Sequence, residues 1–107
     1  MRTVHLGFAV LLCGVTPAIA QNVEAGHRLA ARWCSGCHQI EAVARGPVLD
    51  TPPSFPAIAR MSSTTRMSLT AFLSTPHAPM PDYSLSRQEI ADVSAYILSL
   101  KPEGQPT

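Results

Sequence analysis

The sequence contains no run or stripe of basic residues. Eight Lys and Arg stand against seven Asp and Glu over 107 residues. Nucleic acid is therefore not an expected partner. Nor is there an apolar run long enough for a bilayer: Leu6 to Val15 reaches only about half of the ~20 residues that a spanning helix needs. No alternating strand pattern and no internal repeat appear, which points away from sheet and solenoid architectures. Cysteine is scarce, with Cys13, Cys34 and Cys37 alone. There is no second ligand pair at the short spacing of a closed zinc site. No βαβ pattern surrounds the cysteines, which weighs against a thioredoxin-like dithiol.

The first twenty residues read as a leader. Arg2 supplies a small positive region, Leu6 to Val15 an apolar segment, and Ala18-Ile19-Ala20 an A-x-A cleavage signal behind Pro17. This predicts a secretory signal peptide, residues 1–20, cut after Ala20. Cys13 goes with it, because Leu12 is not the small residue that a lipoprotein site wants before its Cys. Residues 21–107 then form a single domain, exported to the periplasm. Losing Arg2 leaves seven basic and seven acidic side chains, so the domain is formally neutral. Its core is small enough to need a staple.

Cys34-Ser35-Gly36-Cys37-His38 is the stretch that carries chemistry. Two cysteines three apart on a helical turn point to the same side. Each thiol can then add to one vinyl group of a single porphyrin. His38 follows directly and is placed beneath the iron as proximal ligand. C-x-x-C-H is the attachment pattern of haem c. A Cys34–Cys37 disulfide or half of a zinc site are the competing readings. His27 and His77 are isolated from each other and from any further Cys, so zinc has little to work with. Export suits the haem and the disulfide equally.

Around this motif the chain reads as helices and Pro-rich loops. Asn22 is an N-cap and Glu24 suits the first turn, giving a helix from Val23 to Arg32. Gly26 sits inside it at a cost of ~1 kcal/mol relative to Ala. Trp33 is expected in the core, against the haem edge. Gly46-Pro47 breaks the chain beyond the turn. A ligating His donates its second ring N–H to an acceptor, and the Pro47 carbonyl is the candidate. A short helix from Pro56 to Arg60 and another from Thr65 to Ser74 follow. Met61 and Met67 are expected in the core, and Leu69, Phe72 and Leu73 in core or pocket wall. Thr75 to Ser84 holds Pro76, Pro79 and Pro81 and must be a loop. Met80 at its centre suits a side chain presented at one fixed position. Ser86-Arg87-Gln88-Glu89 is a capping box, opening a last helix from Arg87 to about Leu100. Its apolar stripe is Ile90, Val93, Ile97 and Leu100, widened by Tyr96. The tail from about 102 is expected to be loose.

These features together resemble a class I monohaem c-type cytochrome of bacterial type. The carriers are Gly26, the Cys34-to-His38 motif, Gly46-Pro47, Met80 in its Pro-rich loop, and Val93-x-x-Tyr96. The resemblance implies an all-α fold, a small orthogonal helical bundle wrapped around one covalently attached haem. It matches Gly26 and Tyr96 to the crossing of first and last helices. The family's aromatic at the Ala30 position is missing, so either the crossing is looser or Trp33 compensates.

Met80 is the implied distal ligand, whose soft thioether favours ferrous iron and raises the potential. His77 is its rival and would lower it. The implied function is an exported one-electron carrier, or a dedicated haem subunit of a larger oxidoreductase, with no catalytic residue of its own. A membrane respiratory complex, a periplasmic dehydrogenase or a terminal oxidase or reductase would be its redox partner, met through a small transient surface. Arg60, Arg66 and Tyr83 are candidates to hold the propionates. The alternative is a haem enzyme or gas sensor with an open distal site, for which His77 and Arg66 are the residues to name. A third reading is a non-haem binding domain closed by a Cys34–Cys37 disulfide.

Overall fold

A computed structural model of the chain describes residue 14 and residues 18–47 and 51–105. The expected leader, with Cys13, lies almost wholly outside the described residues, as do Val48 and Leu49. Four helices and no strand form among the described residues: α1 Val23–Trp33, α2 Phe55–Arg60, α3 Arg66–Ser74 and α4 Arg87–Ser99. The architecture is all-α, as expected. None of these helices is long and apolar enough to cross a membrane.

Each helix begins where a side chain can satisfy the N–H groups that a first turn leaves unpaired. The Asn22 side chain accepts the Ala25 N–H at 2.9 Å. Ser54 does the same for Ala57 at 3.2 Å, and Pro56 in that first turn has no N–H to satisfy. Thr65 and Ser68 form a reciprocal box, so Thr65 caps α3 and is not its first residue. Ser86 and Glu89 form the expected one: Ser86 Oγ accepts the Glu89 N–H at 3.2 Å, and the Ser86 N–H donates to Glu89 Oε2 at 2.8 Å. The two bonds from Ser86, backbone first, hold the Glu89 carboxyl below its ordinary pKa.

α4 is the common partner on which α1, α3 and α2 all pack. The core joins Ala30, Ile40, Phe55, Ala59, Leu69, Val93, Tyr96 and Ile97. A Cβ at Gly26 would run into the Asp92 backbone carbonyl and stand 3.0 Å from Tyr96 Cβ. Only glycine lets α1 approach α4 so closely. Ala30 is fully buried at this crossing. Trp33 does not compensate for the missing aromatic, because it lies outside the core at 41% exposure. The space is closed by Tyr96, with the His27 ring edge-on to it at 4.9 Å and Phe55 at 6.3 Å. Tyr96 Oη donates to the Ile40 carbonyl at 2.8 Å, tying α4 to the segment after the Cys34–His38 turn. Burial, and secondarily the charge of Glu41, pushes the Tyr96 hydroxyl above its ordinary pKa.

The two methionines expected in the core are not there. Met61 is the extended C-cap of α2 and is 45% exposed. Met67 is 82% exposed. It lies two residues before buried Leu69, on the opposite side of α3. The end of α4 and the start of the tail each make one side-chain bond to the region of α2 and the turn after it. Lys101 Nζ donates to the Thr64 carbonyl and Gln105 Nε2 to that of Arg60, each at 3.0 Å.

Candidate haem site

α1 delivers the motif. Its C-cap is Cys34, whose N–H still reaches the Ala30 carbonyl at 2.8 Å. The chain then turns on Cys34, whose carbonyl accepts the Cys37 N–H at 3.1 Å and the His38 N–H at 2.9 Å. Cys34, Cys37 and His38 are thus held on one tight turn. Both cysteines are free thiols, Cys37 exposed and Cys34 half-buried. Burial pushes the Cys34 thiol above its ordinary pKa.

His38 Nδ1 lies 2.7 Å from the Pro53 carbonyl oxygen. A carbonyl only accepts, so the hydrogen sits on Nδ1 and the lone pair on Nε2. That is the tautomer of a metal-binding imidazole, fixed by its outer partner. The ring also packs against Phe55 at 5.5 Å between centroids. Pro53 corrects the expected Pro47. The Pro47 carbonyl is nine residues from His38 in sequence, yet the carbonyl at the ring is that of Pro53, fifteen residues on. The Phe55 N–H, donated to the Gln39 carbonyl at 2.9 Å, clamps that return. Sequence spacing cannot choose among the carbonyls of a Pro-rich stretch, and Phe55 carried no signal beyond its hydrophobicity.

The Met80 loop meets this turn through two aromatic rings. Trp33, immediately before Cys34, packs on Tyr83 at 5.3 Å between centroids. Met80 lines a cleft with Leu73, Leu85, Tyr83 and His77. Arg66 is not part of that lining. It stands at the start of α3 beside Met67 and Leu98, apart from the cleft that His77 lines.

These residues fit a covalently attached haem. Two unpaired thiols share a turn with a histidine whose free nitrogen has the ligating lone pair. Half-buried Leu73, Leu85 and Met80 and exposed Trp33 and Tyr83 are apolar surface that the protein's own core leaves uncovered. Among the described residues no cluster of three or more His, Cys, Asp or Glu could hold a bare metal ion.

The cytochrome c family model matches residues 23–101 of the chain. Cytochrome c-552 of Bradyrhizobium diazoefficiens is 41% identical over 98 residues, covering 87% of this chain and 90% of the relative. No solved structure matches the chain significantly.

Proposed function

The chain belongs to the cytochrome c family, and from that premise we propose that it is an exported, single-haem, His/Met-ligated one-electron carrier. As a family member it is a haem electron carrier and not an enzyme, and its cofactor is haem c, held covalently through Cys34 and Cys37. Haem iron, when bound, supplies a one-electron couple whose potential follows its axial ligands. In the proposed holoprotein His38 Nε2 is the proximal ligand and Met80 the distal one.

The observation that carries this reading is the His38–Pro53 bond at 2.7 Å. With Nδ1 donating to that carbonyl, the imidazole is oriented and Nε2 carries the lone pair, which supports His38 as the proximal ligand. Met80 is offered by a loop rigid with proline and braced on the motif by Trp33 and Tyr83. A ligand that stays in place in both oxidation states keeps the reorganisation cost of electron transfer small. The A-x-A leader supports export to the periplasm, with residues 1–20 removed and 21–107 as the working domain. Partners are redox proteins that dock transiently over a small area, such as a membrane respiratory complex, a periplasmic dehydrogenase or a terminal oxidase or reductase.

The test is an absorption spectrum of the mature holoprotein in both oxidation states. The expected result is a sharp low-spin ferrous spectrum and the weak far-red ferric band of thioether coordination. Met80→Ala abolishes that band while the haem stays attached. An unchanged spectrum in Met80→Ala refutes the distal assignment.

A further inference from the structure

We infer that His77 is a built-in substitute for Met80: when the thioether is lost from the sixth position, His77 Nε2 takes it. The inference rests on the axial reading above and extends it to a residue that this reading leaves unused.

Three observations carry it. First, His77 has the same preparation as His38. Its Nδ1 lies 2.7 Å from the Thr75 carbonyl oxygen, which can only accept, so the lone pair is on Nε2. Both imidazoles thus have Nδ1 committed to a backbone carbonyl. Second, His77 Nε2 is buried and has no hydrogen-bond partner among the described residues. Orphaned buried polar atoms are costly and uncommon in folded proteins. A ligand-competent nitrogen kept in this condition is available at no loss of an existing bond. Third, His77 and Met80 pair as an isolated antiparallel bridge across Ala78-Pro79. Directly opposed residues of an antiparallel pair project to the same face, with Cβ atoms about 5 Å apart. Both side chains line the same cleft accordingly. A loop that presents one to the iron presents the other beside it.

The Phe72 ring lies 3.7 Å from that of His77 between centroids and supports the imidazole from the α3 side. The exchange itself involves no redox change. With haem bound, His77 Nε2 would replace the Met80 sulfur as the donor, one neutral two-electron donor for another, while the Nδ1 hydrogen stays on Nδ1, donated to the Thr75 carbonyl.

The experiment compares four holoproteins: wild type, Met80→Ala, His77→Gln and the double variant Met80→Ala/His77→Gln. Spin state is read from ferric and ferrous spectra, and the open site from carbon monoxide binding. In Met80→Ala the expected iron is low-spin and bis-imidazole in type, with the midpoint potential below that of wild type. Its affinity for carbon monoxide is reduced about tenfold or more relative to the double variant, because the internal ligand occupies most of the open population. The double variant is high-spin, and added free imidazole returns it to the low-spin spectrum, showing an intact pocket. If Met80→Ala is high-spin and binds carbon monoxide as readily as the double variant, the substitution does not occur and the inference fails. The Met80 assignment would then still stand on the lost far-red band. If Met80→Ala keeps the wild-type spectrum while His77→Gln loses it, His77 is the resident ligand. Both the axial reading and the substitute role then fall together.

Discussion

The α1–α4 crossing and the Met80 loop both abut the Cys34–His38 turn, but they are completed differently. At the crossing, protein meets protein. Gly26 admits the Asp92 carbonyl, Ala30 and Val93 are buried, and the Tyr96 hydroxyl finds the Ile40 carbonyl. At the loop, the chain's own groups do not close on each other. Trp33 and Tyr83 stack while remaining 41% and 39% exposed, and His77 Nε2 has no hydrogen-bond partner among the described residues. The first region packs protein against protein, with Ser94 Oγ of α4 its one buried side-chain polar atom without a partner among the described residues. The second leaves Trp33 and Tyr83 partly uncovered beside the Met80 cleft, which is the surface that the proposed haem would cover. A protein that divides its packing in this way leaves the cofactor to supply the staple that so small a domain requires.

Removing the staple is the most damaging way to test this contrast. Cys37→Ala can form at most one thioether, through Cys34, and is expected to impair maturation, seen as a lower yield of chain carrying the covalent haem mass. The remaining chain should melt without the cooperative transition of the holoprotein, as followed by circular dichroism. A cooperative transition at the holoprotein temperature would show that the crossing alone suffices. Gly26→Ala attacks the crossing. The added methyl meets backbone and not a flexible side chain, so the overpacking cost should reach about 3 kcal/mol. Denaturant unfolding of the holoprotein measures it, and the spectrum of the surviving folded fraction should be that of wild type.

Tyr96→Phe is gentler. It removes one buried hydrogen bond and should cost about 1 kcal/mol. It also has a pH signature. The folded pKa of Tyr96 is raised, so its contribution is fully present below the ordinary tyrosine value of about 10 and is lost as pH rises through the folded value. Unfolding midpoints measured across alkaline pH should converge for wild type and Tyr96→Phe. The smallest effect is expected at the α4 cap. Ser86→Ala should cost about 1 kcal/mol or less, leaving the haem spectrum unchanged. The Glu89 carboxyl has a lowered pKa, so its contribution is present above the ordinary glutamate value and fades as pH falls through the folded one. In Ser86→Ala that acid sensitivity should weaken, which a pair of unfolding curves at neutral and acidic pH would reveal.

Several elements were legible from short stretches alone. Asn22, and Ser86 with Glu89, announce the starts of α1 and α4 because the groups they cap are within three residues. Tyr96 and Gly26 could be matched to a helix crossing by resemblance, and the contact bears this out. Met61 and Met67 lie outside the core that their hydrophobicity suggests, and Trp33, expected against a haem edge, lies outside the protein's own core. Hydrophobicity assigns a residue to some buried surface, but for Trp33 the expected neighbour is a haem edge and for Met67 the helix face is the wrong one.

The spacing that puts two thiols and an imidazole on one turn is a property of five consecutive residues, Cys34 to His38. Local geometry dictates it, and the sequence by itself determined it. Helix starts belong to the same class, since their hydrogen bonds span three residues. Only the tertiary structure decided that Pro53, and not Pro47, holds His38, that Tyr96 reaches Ile40, that Trp33 rests on Tyr83, and that His77 Nε2 is buried without a partner among the described residues. Those outcomes depend on the path of loops that bring distant residues together. A carbonyl or a ring is the same in every such path until the packing of the whole chain selects one.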